Sequence, residues 1–196
     1  MTVEKGQDWG TTGPLPDDGV TVRSDAEARA VITEARRANR PIPPIGLLGG
    51  DLCRTLGGRG ALTARATVDL GEALVDGRVQ LFVAHLVIRR GWLRGPLFGA
   101  FNAEWLGEWD VAPRAHPGDG LLEVVDAALS TGDRLKARRR LPTGTHLPHP
   151  GIRMTRVAAV QRDVPTGHSV WLDGERLGSA RAVSIRVEPD ALRIVV

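Results

Sequence analysis

The sequence predicts an α+β protein in which a short α/β segment precedes an antiparallel β-sandwich. Three observations predict it. Residues 19–57 read as strand, helix, strand, turn and helix. From residue 65 onward, short runs of alternating apolar and polar residues take over, separated by Gly, Pro and Asp. Within that stretch Asp76-Gly77 lies between two such runs, as the turn of a two-residue hairpin does. The expected division is an irregular N-terminal arm over 1–18, a reduced α/β segment over 19–64 and a β-sandwich domain over 65–196.

Each element has a local reason. Gly19 to Val22 is a short strand, and Ser24-Asp25-Ala26-Glu27 opens a helix. Ser24 caps it, Glu27 stands three residues on as in a capping box, and Asp25 and Glu27 suit the positive end of the helix dipole. Ala28, Val31, Ile32 and Ala35 follow at helical spacing, Arg36 and Arg37 fall in the last turn, and Pro41, Pro43 and Pro44 stop the helix. Ile45 to Leu48 is a strand, Gly49-Gly50 a turn, and Asp51 to Leu56 a short helix ended by Gly57-Gly58. Strands are expected at 68–75, 78–88, 96–105, 108–112, 121–128, 152–162, 169–172, 181–188 and 191–196, with Glu188-Pro189-Asp190 as the last turn. Residues 131–140 fit either a short helix or an irregular crossing.

Composition narrows the function classes. The chain has 196 residues, of which 42% are hydrophobic and 25% charged, as in globular proteins with a core. No apolar run is long enough to span a bilayer, and the first residues lack a signal-peptide pattern, so a cytoplasmic protein is expected. Cys53 is the single cysteine and reads as a small buried residue. Five Trp, three Phe and no Tyr argue against a base-stacking nucleic-acid surface. The net charge of +3 comes almost wholly from Arg, and Arg36-Arg37 and Arg138-Arg139-Arg140 fit either solvated helix ends or a peripheral contact with phosphate or anionic lipid. His146 and His149 are three apart, but Pro148 and Pro150 preclude a regular helix and no third ligand is near in sequence, so no zinc is expected.

The most specific stretch is Trp109-Asp110-Val111-Ala112-Pro113-Arg114-Ala115-His116-Pro117-Gly118-Asp119-Gly120-Leu121-Leu122-Glu123-Val124. It resembles the "apolar-Ala-Pro-x-Ala-x-x-x-Asp-Gly-x-Leu-Asp-Val" segment of soluble bacterial diacylglycerol kinases, a family related to sphingosine kinases. Asn102, Gly144-Thr145-His146 and Val170-Trp171-Leu172-Asp173-Gly174-Glu175 match further family segments in the same order and spacing. Leu47 to Gly57 is similar to the family's "Gly-Thr-Gly-Asn-Asp-x-Ala-Arg-x-Leu-Gly" segment, and Val22 to Glu27 sits where the family has "Gly-Gly-Asp-Gly-Thr". The resemblance implies a truncated α/β nucleotide-type half followed by an antiparallel β-sandwich half, as in NAD kinase and diacylglycerol kinase folds.

The resemblance also implies roles. Asp173 and Glu175 would be catalytic, as general base or through Mg²⁺. Asp25, Gly49, Gly50 and Asp51 would bind nucleotide, and Asp119 would hold a structural Mg²⁺. The plainer alternatives are hairpin turns for Asp119 and Asp173 and a helix-start acid for Asp25. The departures weigh on activity. Ser24 and Ala26 replace glycines that let a backbone approach phosphate, Glu27 replaces a hydroxyl, Leu48 replaces Thr and Gly50 replaces Asn. The expectation is therefore a lipid-kinase-like protein that is catalytically degenerate and binds a lipid, small molecule or partner. The alternative is an active short kinase using ATP and Mg²⁺ on a lipid hydroxyl. A homodimer that completes the nucleotide half is compatible with either.

Overall fold

In the computed structural model, which describes residues 10–91 and 94–196, one long ribbon joins the α/β segment to the sandwich. The ribbon pairs β4 (Ala64–Val75) with β15 (Ala182–Val195), antiparallel along nearly their whole length. Around one end lie β1 (Gly10–Thr12), β2 (Val20–Val22) and β3 (Ile45–Leu47); β3 runs parallel to both β2 and β15. Around the other end lie β5 (Arg78–Phe82), beside β4, and β12 (Ala159–Asp163), beside β15. These seven strands are sheet I. The expected α/β and sandwich segments thus share one continuous sheet.

Sheet II is wholly antiparallel, in the order β11 (Ile152–Val157), β10 (Leu122–Ala127), β7 (Leu97–Phe101), β6 (His85–Arg89), β13 (Ser169–Leu172) and β14 (Glu175–Gly178). The short hairpin β8 (Trp105–Leu106) and β9 (Trp109–Asp110) stands apart. Sheet II packs on the β5–β4–β15–β12 end of sheet I through Ala73, Val75, Leu86, Ile88, Leu122, Val124 and Ile185, among others. Period-two alternation then sends Val87, Phe101 and Val125 to the opposite face of sheet II. At the other end of sheet I, α1 (Asp25–Arg37) and α2 (Asp51–Thr55) bury Ala28, Ile32, Leu52 and Cys53 against Val68, Leu70 and Ile194.

The local signals explain most boundaries. Ser24 Oγ accepts from Glu27 N–H at 3.2 Å, while Glu27 reaches back to Arg23 N–H at 2.7 Å, one residue earlier than in the standard box. Asp76 and Gly77 have φ of 45° and 83°, the pair of positive values that a type I′ hairpin requires. The third helix, α3 (Thr131–Arg140), is capped by Ser130 and buries no residue fully.

Five expectations change. The strand expected over 96–105 ends at Phe101, and Trp105 begins the separate β8–β9 hairpin. The strand expected over 78–88 breaks at Val83–Ala84, where the chain leaves sheet I for sheet II. The strand expected over 152–162 likewise breaks at Ala158 and divides between the sheets. No Gly, Pro, Asn or Asp stands at either break, so no turn signal in the sequence reveals the crossings. Glu188-Pro189-Asp190 does not reverse the chain but forms an irregularity within β15, with Pro189 where the β4 register shifts between Glu188 and Leu192. Gly10–Thr12 and Glu175–Gly178 are strands without a buried residue, so no buried face marks them in the sequence. Residues 1–9 of the expected arm lie outside the described residues.

Gly71 on β4 faces Phe82 on β5 in register, and a Cβ there would come within 2.2 Å of the buried Phe82 ring. Gly71→Ala is expected to destabilise the fold by about 1–3 kcal/mol through overpacking, read as a lower urea midpoint at unchanged slope.

Candidate functional site: a buried acid cluster beside an apolar pocket

Where the chain passes from β5 to β6, Val83 and Ala84 belong to neither ladder, so their backbone groups need other partners. Asp173 supplies them. It lies at the β13–β14 turn with φ 49°, followed by Gly174 at 83°. Its carboxylate accepts from Val83 N–H at 3.0 and 3.1 Å, Ala84 N–H at 2.9 Å and His85 N–H at 3.2 Å. Asn102, fully buried, donates from Nδ2 to Val83 O at 3.0 Å and to Asp69 O at 2.9 Å. Ala84 O accepts from Asn102 and Ala103 N–H.

The Asp173 side chain is 0% exposed, and the Arg29 guanidinium stands 3.5 Å from it. Burial pushes its pKa up, against nearby His85 and the three N–H donors, which pull it down. Desolvating such a carboxylate costs several kcal/mol. Three N–H donors return part of that cost, about 1.5–3 kcal/mol for each hydrogen bond to a charged group, but burial wins and the net shift stays upward.

Three more groups complete the cluster. Asp25, on the first turn of α1, accepts from Asp51 N–H at 2.5 Å and Leu52 N–H at 3.2 Å, and so caps α2 from outside. Burial, with the charges of Asp173 and Asp51, pushes its pKa up to about 7, although those two N–H groups oppose the shift. Asp51 bonds His85 Nε2 at 2.9 Å and Gly107 N–H at 2.9 Å. Burial alone would lower the pKa of His85, but the Asp51 hydrogen bond and the charges of Asp173, Asp51 and Asp25 outweigh it, so the net shift is upward. At the rim, Glu175 is 66% exposed and pairs with Arg29. It borders an open groove along α1 shared with Ser24, Glu27, Thr33 and Arg37.

Thus Asp25, Asp51, Asp173 and Glu175, read from the sequence, lie in one region with Arg29 and His85, which sequence reasoning passed over. His85 is a polar interruption of an apolar run, and Arg29 lies one helical turn after Asp25; both are signals, but weak ones. Gly49 and Gly50 form the β3–α2 turn. A Cβ on Gly49 would come within 2.8 Å of Arg23 O, and one on Gly50 within 2.7 Å of the Asp25 carboxylate. Asp119 makes its contacts elsewhere: Oδ1 accepts from Leu121 N–H at 3.0 Å and Oδ2 faces Arg156. Its loop docks on buried Asp69, another residue missed, which accepts from Gly120 N–H at 2.7 Å and Asp190 N–H at 2.9 Å. No group of three or more His, Cys, Asp or Glu suited to a metal occurs among the described residues.

Next to the cluster, the outer face of sheet II and α3 enclose an apolar pocket of about 100 Å³. Val87, Phe101, Val125 and Ile152 form its floor, with Leu106, Trp109 and Leu141 around them. Phe101 also packs against His85, their rings 6.0 Å apart, so it links the pocket to the cluster. None of the four acids lines this pocket.

The two-sheet sandwich with a short α/β segment on its ribbon is an NAD kinase-like β-sandwich architecture. Residues 74–196 match the family described as the YegS C-terminal NAD kinase beta sandwich-like domain, and the chain belongs to that family. It is a diacylglycerol kinase/YegS-like member. No curated protein matches it. Two solved structures from Bacillus anthracis share the fold. One is described as a diacylglycerol kinase (TM-score 0.63, 16% identity, covering 91% of this chain and 76% of that one). The other is described as a candidate diacylglycerol kinase (TM-score 0.66, 15% identity, 91% and 78%). No helix among the described residues is long and apolar enough to cross a membrane.

The raised pKa of Asp25 has a signed consequence. Between its ordinary value of 3.8 and about 7, the folded state holds a proton that the unfolded chain has released. Stability contributed there is therefore present below 3.8 and lost as pH rises through about 7. The upward shift of His85 acts in the same direction near neutrality. Asp25→Asn is expected to flatten the fall in unfolding free energy across this window, measured by urea titration at a series of pH values.

Proposed function

We propose that this chain is a non-catalytic member of its family that binds a single-chain amphiphile in the apolar pocket, with the acid cluster serving as structure. The observation that carries this reading is the engagement of Asp173. A general base must reach the proton it removes, yet this carboxylate is fully buried and bound to three backbone N–H groups and Arg29.

The fit of nucleotide and Mg²⁺ points the same way. A phosphate cradle needs free N–H groups and open space above glycines. The N–H groups of Asp51 and Leu52 are taken by Asp25, and the space over Gly49 and Gly50 by Arg23 O and the Asp25 carboxylate. Glu27 and Glu175 add negative charge at the groove. Asp119 has its oxygens on Leu121 N–H and Arg156. These residues do not fit ATP or its metal.

The second reading, an ATP- and Mg²⁺-dependent kinase acting on a lipid hydroxyl, is favoured by one feature. Asp25, with a pKa near 7, has the proton affinity of a neutral-pH acid–base group. Thermal-shift measurement separates the two. A ligand at about 100 times its Kd stabilises by about 2.7 kcal/mol, a rise of about 5 °C or more for a chain of this size. A rise of that size is expected with a monoacylglycerol or a fatty alcohol, and none with millimolar Mg²⁺ and ATP. ATP-dependent phosphorylation of a lipid hydroxyl, lost in Asp173→Asn, would favour the kinase instead.

A further inference from the structure

The β8–β9 hairpin belongs to neither sheet; among the described residues its strands pair only with each other. A two-stranded ribbon is marginal in water by itself, so what it docks on decides where it lies. Its root is fixed. Asn102 and Ala103 donate from their N–H groups to Ala84 O, and Glu104 O accepts from Val111 N–H at 3.1 Å and Ala112 N–H at 3.0 Å. Asn102, Ala103 and Ala112 are fully buried. The tip is open: a Cβ on Gly107, at φ 60°, would meet nothing within 4 Å.

One side of the hairpin is held by α2, on which Asp51, Arg54 and Thr55 share a face. Asp51 Oδ1 accepts from Gly107 N–H at 2.9 Å, and Thr55 Oγ1 accepts from Glu104 N–H at 3.0 Å. Arg54 donates to Gly107 O at 3.0 Å and lies over the Trp105 ring, 3.5 Å from its centre. On the other side Leu106 and Trp109 form part of the pocket wall. A cavity of ~150 Å³ takes benzene or xenon, so the pocket of about 100 Å³ takes only a few heavy atoms. A larger occupant must displace a wall. The floor residues Val87, Phe101 and Val125 stand in the ladders of sheet II. Arg134 ties α3 back to Leu129 O and Gly95 O. The hairpin alone combines a fixed root with a polar, half-exposed contact at its tip, the kind of contact that opens locally.

We propose that the β8–β9 hairpin is a hinged cover of the apolar pocket, locked shut by Arg54 and Asp51 of α2. The proposal rests on the reading of the pocket as a binding site and goes beyond it by naming the wall that moves and its lock. Asp51 gives its other oxygen to His85 Nε2 at 2.9 Å, so the acid cluster holds the cover closed.

The test uses the full chain and Arg54→Ala. Xenon is the probe that fits the closed cavity and naphthalene the one that does not; both are followed through the methyl resonances of Val87, Val125 and Ile152. Amide exchange at Gly107 reads the cover without a ligand. In the wild-type chain Gly107 is expected to exchange by local opening, faster than Leu86 and Val170 in the core. Arg54→Ala is expected to raise the Gly107 rate about tenfold, the scale of one lost hydrogen bond, with Leu86 and Val170 unchanged. Apparent affinity follows the open fraction, so naphthalene is expected to bind about tenfold more tightly to Arg54→Ala and xenon equally to both chains. Exchange of Gly107 only through global unfolding of the wild-type chain overturns the cover, as does equal naphthalene binding by the two chains; xenon binding then leaves the site itself standing. An unchanged Gly107 rate in Arg54→Ala overturns the lock. Binding of neither probe overturns the pocket as a binding site and the cover with it.

Discussion

The grip of Asp173 on the Val83–Ala84–His85 backbone is the interaction on which the rest of the structure depends. A chain that passes between two packed sheets must leave one hydrogen-bonding ladder before it joins the next. Here it does so in the interior, where bare N–H groups are costly. One carboxylate on the β13–β14 turn takes all three N–H groups, and Asn102 takes the carbonyl of Val83. The same carboxylate brings Arg29 of α1 to the sandwich, while Asp51 of α2 reaches His85 on sheet II. The joint between the α/β segment and sheet II is therefore made of charges, whereas each side has its own apolar core.

Charges in such a joint compete. Asp25, Asp51 and Asp173 stand together beside His85 and Arg29: burial and the neighbouring acids push the pKa of Asp25 up, burial pushes up that of Asp173, and the attraction of the carboxylates raises that of His85. Raising one proton affinity in a group of three acids costs less than holding all three ionised out of water. The carboxylate oxygens of Asp25, Asp51 and Asp173 have their partners within the protein.

Much of this was legible in the sequence. The Ser24–Glu27 helix start, the Asp76-Gly77 turn and the helix after Gly49-Gly50 follow from local chemistry, which is why they stand as expected. The family resemblance marked Asp25, Asp51 and Asp173 in advance. It did not show that Asp173 faces the Val83–Ala84 crossing, because a break between two apolar runs leaves no mark when both sides are buried. Nor did it single out His85, Arg29 or Asp69, each one polar residue within an otherwise ordinary helix or strand. His146 was visible as part of Gly144-Thr145-His146, but its place in the pocket wall depends on the fold of sheet II and α3 around it.

Phe101 lies between the pocket, whose apolar walls also carry Arg134, Arg138 and His146, and the paired charges of the cluster. Whether Asp173 is structural is measured most directly by native-state amide hydrogen exchange at Val83, Ala84 and His85. If its carboxylate holds the crossing, these three amides exchange only through global unfolding, with the slow rates of the core strands. Exchange through local opening, at rates near those of exposed loops, would mean that the carboxylate is free for other work and would contradict the structural role.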